Sequence, residues 1–350
     1  MKLPSIKDFD LVKKTVLLRT DYDVPLDQDG RVADASRIEN SLPSIKYLIS
    51  QKAKIIIITH LDRPGGKVVK GLSLKPVAEK LSLLLDRDIR LSAEVLGKKT
   101  DQAVSELKPG KPLLLENLRF DPREEKNDEG FAKKMASLAE VYVNDAFAVS
   151  HRRHASMVSV PRYSPSAAGL DLLKEVNTLT NILEKPRRPV IVILGGVKRS
   201  KIEAARKMVS WANYILVGGK LVLYDDIPQL FDHEKVSGYL KRNGEDITMG
   251  SVKEFEKIIA KAGTIIWSGP MGAYEKEEFS RGTKRIAQAV VDSEAYTIIG
   301  GGDTEAALTK FGLVDKIDYI SSGGGAMLAF LAEGTLPGIE AIKLVKTARQ

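Results

Sequence analysis

Nine short apolar runs, rich in β-branched and aliphatic residues, recur along this chain, and most are followed by a helix-length stretch with its apolar residues on one face. They are TVLLRTDYDV from Thr15, KIIIITH from Lys54, PLLLENLRF from Pro112, VYVND from Val141, PVIVILGG from Pro189, YILVGG from Tyr214, TIIWSGP from Thr264, YTIIGGG from Tyr296 and DYISSGGG from Asp318. Strands this continuously apolar need cover on both faces, and helices placed between successive strands supply it. The alternation predicts an α/β fold built from parallel sheets flanked by helices.

At 350 residues the chain exceeds what one hydrophobic core usually fills, so two domains are expected. A helical pattern bounded by Pro165 and Pro186 separates the two blocks of strands. The reading is an N-terminal domain over 1–165, an interdomain helix and hinge over 166–186, and a C-terminal domain over 187–335. A basic tail over 336–350 can return to the N-terminal domain.

Composition narrows the class of function. No apolar run reaches the roughly 18 residues of a membrane span, and the N-terminus lacks the apolar core of a signal peptide. A cytoplasmic protein without a membrane partner is expected. With no cysteine, disulfides, thiolate zinc sites and cysteine nucleophiles are excluded. A formal net charge of +8 implies anionic partners. Aromatic content of 6% and the lack of a long basic tract favour small phosphorylated molecules over nucleic acid.

Ligands of open α/β sheets sit beyond the carboxyl ends of the strands, and the polar signatures fall there. In the first half these are Asp21, Asp23, His60, Arg63, Arg119, Asn144, Asp145, His151 and Arg152, with Arg37 opening the helix SRIENSLPSI. Arginine forks bind carboxylate or phosphate bidentately and stay charged, so several converging arginines would suit a small, doubly charged acid. The two histidines of HRRH have no organised carboxylate partner for zinc. In the second half glycine clusters follow the strands: LGGVK, VGGK, WSGPMG, IIGGGDT and SSGGGA. Gly300, Gly301 and Gly302, followed by Asp303, Thr304 and a helix, offer amide donors to a phosphate, and Asp303 is placed to reach a magnesium ion bridging phosphate oxygens. Neither the P-loop nor the Rossmann glycine fingerprint is present.

Taken in order, RTDYDVPL, SRIENSLPSI, THLDRP, LLENLRF, YVNDAF, HRRH, ILGGVK, IIWSGPMGAYE, IIGGGDT, SSGGGA and LPG resemble the signatures of the phosphoglycerate kinases, and the match spans both halves. The resemblance implies reversible transfer of the acyl phosphate of 1,3-bisphosphoglycerate to ADP, giving 3-phosphoglycerate and ATP in glycolysis, with Mg2+ required. It implies that Asp21, Asp23, Arg37, His60, Arg63, Arg119, His151 and Arg152 bind the glycerate, Arg37 being nearest the transferred group. It further implies that Lys198 and Lys201 meet nucleotide phosphates or the transferring phosphoryl. Glu275 would hold the ribose and Asp303 the metal; Gly300, Gly301, Gly302 and Thr304 would lie beside the phosphates. Gly323, Gly324 and Gly325 would present a helix N-terminus. A monomer whose hinge closes is expected, the rival reading being a non-catalytic relative that binds phosphate or nucleotide.

The chain departs from the family pattern in five places. Asp23 stands where the family usually has Asn, Asp62 where it has Gly, and Ser268 where it has Asn. Lys198 and Lys201 are separated by two residues where the family has three, and the interval between Lys220 and Asp246 is much shorter. That last difference predicts a trimmed wall for the base and looser base selectivity.

Overall fold

The computed structural model describes residues 1–224, 230, 233–238 and 245–343, which form two compact units. One runs from Met1 to Asn177 and is joined by the segment from Leu336; the other runs from Thr178 to Thr335. The first contains β1 (Thr15–Thr20), α1 (Ser36–Ser50), β2 (Lys54–Ile58), α2 (Lys75–Leu85), β3 (Arg90–Leu91), α3 (Lys98–Ser105), β4 (Pro112–Leu114), α4 (Pro122–Glu125), α5 (Glu129–Ala136), β5 (Val141–Asp145) and β6 (Ser166–Ala168). The boundary falls inside α6 (Leu170–Glu184). Beyond it come β7 (Val190–Leu194), α7 (Ser200–Met208), β8 (Tyr214–Val217), β9 (Val236–Ser237), α8 (Met249–Ile259), β10 (Thr264–Ser268), α9 (Arg281–Asp292), β11 (Tyr296–Gly300), α10 (Gly302–Lys310), β12 (Tyr319–Ser321) and α11 (Gly324–Glu333). A last helix, α12 (Pro337–Lys343), belongs to the first unit, where Gly338 N–H donates to the Ser150 carbonyl at 2.9 Å.

Each unit is built on a six-stranded sheet, ordered β3-β4-β2-β1-β5-β6 and β12-β11-β10-β7-β8-β9, with every strand pair parallel. Strand β2 shows why the sequence specifies this layering. Its four consecutive isoleucines alternate across the sheet: Ile55 and Ile57 enter the core on one face, Ile56 and Ile58 the core on the other. All four are fully buried, which is worth about 1.5–3 kcal/mol per side chain. The second sheet buries Ile191, Ile193, Ile265, Trp267 and Ile299 in one cluster.

Strand order reverses between β1 and β5 in the first sheet and between β7 and β10 in the second. Loops leaving such neighbours turn to opposite faces, which opens a crevice at the carboxyl ends of the strands. Three strands were not visible as apolar runs: β3, β6 and β9, each two or three residues long and each at a sheet edge. Ser166–Ala168, expected to lie in the interdomain helix, pairs instead with β5 as β6, and the helix starts at Leu170. The shortened interval on which the expectation of looser base selectivity rests falls largely on 225–229, 231–232 and 239–244, outside the described residues.

Candidate active site

In the first unit, strand register levels the polar residues. Arg19 of β1 pairs with Ile58 of β2 and with Asn144 of β5, so Asp21 and His60 leave adjacent strands side by side. His60 Nδ1 lies 3.7 Å from Asp21 Oδ1, and His60 Nε2 lies 3.7 Å from Asp23 Oδ2. Arg37, in the first turn of α1, forms an ion pair with Asp21. Arg119, in the turn after β4, donates from Nη1 to the Asp62 carbonyl at 2.8 Å, with its Nε 3.3 Å from Glu125 Oε1. The Asp62 N–H donates to Asp23 Oδ1 at 2.7 Å, which ties the loops after β1, β2 and β4 together.

Beneath them lies a buried network that the motifs did not reveal. Arg19 is 1% exposed and donates from Nε to Ser156 Oγ at 3.0 Å. Ser156 in turn donates its N–H and its hydroxyl to the two carboxylate oxygens of Glu124, at 2.9 and 2.5 Å. The Arg19 guanidinium also lies 3.4 Å from His60 Nδ1. A guanidinium can only donate, so Nδ1 accepts and the hydrogen of the neutral ring sits on Nε2.

The field in this corner is positive. His60 is held well below the usual imidazole range, first by burial and then by Arg19, Arg119, Arg37 and His154. His154 is pushed down to about 4 by burial and by Arg119, Arg19, Arg152 and His151. Imidazoles held down by neighbouring arginines mark a place suited to an anion. Burial pushes Glu124 up, while Arg19 opposes the shift.

In the second unit, two glycine-lined helix starts come together. A methyl group on Gly324 would stand 2.6 Å from the Gly300 carbonyl carbon, so the start of α11 touches the end of β11. The N-termini of α10 and α11 thus lie beside each other, each with free amides and a positive dipole end suited to phosphate. Asp303 is exposed in the first turn of α10. Thr304 is fully buried: its Oγ1 accepts the Gly269 N–H at 2.7 Å and ties α10 to the loop after β10. Lys198 is exposed in the loop after β7. Glu275 is exposed, and its carbonyl, with that of Tyr274, accepts from Lys310 Nζ at 3.1 and 3.0 Å. Lys201 is mostly buried, and its Nζ donates to the Gly195 and Ser268 carbonyls at 2.8 and 2.9 Å.

The structure therefore brings Asp21, Asp23, Arg37, His60 and Arg119 together, and places His151 and Arg152 near enough to shift His154. Arg63 is exposed on the Asp62 loop and makes no hydrogen bond or ion pair among the described residues. Gly300, Gly301, Gly302, Gly323, Gly324 and Gly325 gather around the two helix starts. Lys201, expected to meet nucleotide phosphates, has two of its three donors on protein carbonyls. Arg19 was the missed residue with a usable signal: a charged side chain inside an apolar strand is anomalous by itself. Glu124 and Ser156 carried none.

Comparison with known proteins agrees with this geometry. The phosphoglycerate kinase family profile matches residues 6–224 and 231–334. The phosphoglycerate kinase of Moorella thermoacetica is 40% identical over 387 positions, covering 97% of this chain and 98% of that protein. That of Pseudothermotoga lettingae is 38% identical, covering 98% and 99%. The first alignment spans 387 positions against a chain of 350, so at least 37 of its positions face gaps here. The structure of phosphoglycerate kinase from Coxiella burnetii superposes with a TM-score of 0.82 at 33% identity, covering 98% of this chain and 99% of that one. That of the Pyrococcus horikoshii enzyme gives 0.82 at 29%, covering 97% and 98%. With both sheets, both site regions and nearly the full length accounted for, the chain belongs to the phosphoglycerate kinase family.

Proposed function

We propose that this chain catalyses reversible phosphoryl transfer between 1,3-bisphosphoglycerate and ADP, yielding 3-phosphoglycerate and ATP. The observation that carries the reading is the convergence of Arg19, Arg37 and Arg119 on the loops around His60 and Asp21 in the first unit. A compact, doubly charged acid matches that field. The glycerate phosphate and carboxylate are assigned to Arg63, Arg119, His151 and Arg152, with Asp21, Asp23 and His60 orienting the hydroxyl and acyl end. Arg37 is assigned to the transferred group.

In the second unit the paired starts of α10 and α11, with Gly300 to Gly302, Thr304 and Gly323 to Gly325, are assigned to the nucleotide phosphates. Exposed Lys198 is assigned to the phosphoryl group and exposed Glu275 to the ribose. Asp303 is a lone exposed carboxylate, and among the described residues no group of three His, Cys, Asp or Glu is placed to hold a metal. That fits Mg2+ arriving with the nucleotide, since this ion commonly takes one or two carboxylates plus phosphates. When bound, the ion offsets phosphate charge. The protein supplies position: in-line transfer needs alignment and neutralised charge more than a covalent nucleophile. A hinge motion that aligns the two substrates is part of the proposal, as is a monomer working without nucleic acid or membrane. Among the described residues no single helix is long and apolar enough to cross a membrane.

Calorimetry on Arg152→Met tests the assignment of substrates to units. Arg152 is exposed, so the fold should survive. Loss of one charge-assisted contact should weaken 3-phosphoglycerate binding about tenfold and leave ADP binding unchanged. Equal weakening of both ligands would contradict the assignment.

A further inference from the structure

The amino ends of the strands in the first sheet, opposite the candidate site, carry a charge that the proposed reaction does not use. Strands β4, β2 and β1 are neighbours, about 4.8 Å apart as in other sheets. Each is entered through a turn that bears lysines: Lys108 and Lys111 at β4, Lys52 and Lys54 at β2, Lys13 and Lys14 at β1. Backbone bonds hold the three turns together. Lys13 N–H donates to the Gln51 carbonyl at 3.3 Å, Lys54 N–H to the Lys14 carbonyl at 2.9 Å, and Gly110 N–H to the Ala53 carbonyl at 2.8 Å. Six lysines from three separate stretches thus meet at one end of the unit, although the sequence shows no basic tract. Five are exposed and Lys54 is partly buried. Glu140 ion-pairs with Lys14 at 2.9 Å, and Asp10 also acts on Lys14. The other five lysines make no ion pair among the described residues.

Two of these lysines sit where folding alone does not favour them. Lys13 and Lys52 adopt φ 60° and 53°, the left-handed region, and glycine would relieve both turns while lowering the repulsion between like charges. We propose that this end of the first unit is a docking surface for an anionic lipid bilayer. The cations are all lysine, compact charges that suit a field of fluid headgroups, whereas arginine forks suit phosphates held in fixed geometry. Residues 10–14, 51–54 and 107–111 include no aromatic side chain on which a nucleic-acid base could stack. Val12, beside Lys13, is 52% exposed and supplies an apolar side chain to the headgroup layer. The candidate site lies at the carboxyl ends of the same strands, so it stays open to solution when the opposite end is docked. Transfer itself needs no membrane; the surface governs where the protein is held.

Cosedimentation of the full chain with vesicles tests this, using phosphatidylcholine alone and phosphatidylcholine with phosphatidylglycerol in equal parts, at low salt. Binding to the mixed vesicles only is expected, and it should vanish at about 1 M salt, where the Debye length is about 3 Å. Lys13→Gly combined with Lys52→Gly relaxes both turns and removes two charges. Vesicle affinity should then fall about 25-fold, roughly fivefold for each lysine, while Tm does not fall. Lys108→Gln with Lys111→Gln leaves the strained turns untouched and should lose as much affinity. Lys98→Gln with Lys99→Gln removes the same charge from exposed positions of α3 and should change affinity less than about twofold. In the absence of vesicles, kcat and KM should be unchanged in all three variants. No binding to the mixed vesicles, or an equal fall in the patch and α3 variants, overturns the proposal. So does duplex DNA or RNA that strips the protein from vesicles at matched phosphate concentration, which would assign the surface to nucleic acid.

Discussion

Asp62 adopts φ 54°, in the left-handed region that glycine enters without cost. The family's usual glycine there thus has a backbone reason, and Asp is among the few other residues that tolerate it. Its N–H holds Asp23, the second acid foreign to the pattern. The sequence exposed both departures but not their contact, which is made by the fold of two separate loops. Asp23→Asn keeps the oxygen that accepts this N–H and removes the charge. The Asp23 side chain is 40% exposed, so repulsion of a bound anion lies near the aqueous limit of about 1 kcal/mol at 4 Å. Asp23→Asn should therefore tighten 3-phosphoglycerate binding about fivefold by calorimetry; an unchanged dissociation constant would show that Asp23 does not oppose the substrate. At this scale the exposed arginines and the glycine runs were legible because each is a chemical anomaly in its local pattern. The network of Arg19, Ser156 and Glu124 was hidden because its members lie far apart in sequence and meet only in the core.

Helix α6 shows how one element depends on residues far from it. Asp145, at the end of β5, accepts the N–H groups of Asp171 and Leu172 at 2.9 and 3.1 Å, and Ser44 Oγ accepts that of Leu170 at 2.8 Å. These fill the role of an N-cap, which the sequence before Leu170 does not offer. The cap places acids together: burial pushes Asp145 up, and burial with Asp145 and Glu175 pushes Asp171 up from the ordinary 3.8, against Lys174. A raised carboxyl pKa means that the folded state binds more protons than the unfolded one. The stabilisation is complete below 3.8 and is lost as pH rises through the raised value. Asp171→Asn cannot ionise, so its Tm should fall less than that of the wild type between about pH 5 and about pH 9. Parallel Tm profiles for the two proteins would refute this. Long interior strands such as β2 were legible from apolar runs, whereas β3, β6 and β9 were not. Two or three residues at a sheet edge bury too little to leave a pattern.

On the scale of the whole molecule, the order of motifs along the chain was enough to separate an acid-binding half from a nucleotide-binding half, because open sheets place function at strand ends. The boundary between units falls within α6, inside the segment expected to join the domains, and the segment from Leu336 joins the first unit. The chain is shorter than its relatives, and the family match is interrupted at 225–230, yet both sheets keep six strands. Transfer should therefore survive the shortening. The most direct measurement is a coupled assay with 3-phosphoglycerate, ATP and Mg2+, which follows ADP formation and consumption of the 1,3-bisphosphoglycerate produced. Turnover that saturates in both substrates and vanishes when either is omitted is predicted. A folded protein that binds both ligands but forms no acyl phosphate, or that hydrolyses ATP regardless of 3-phosphoglycerate, would contradict the account.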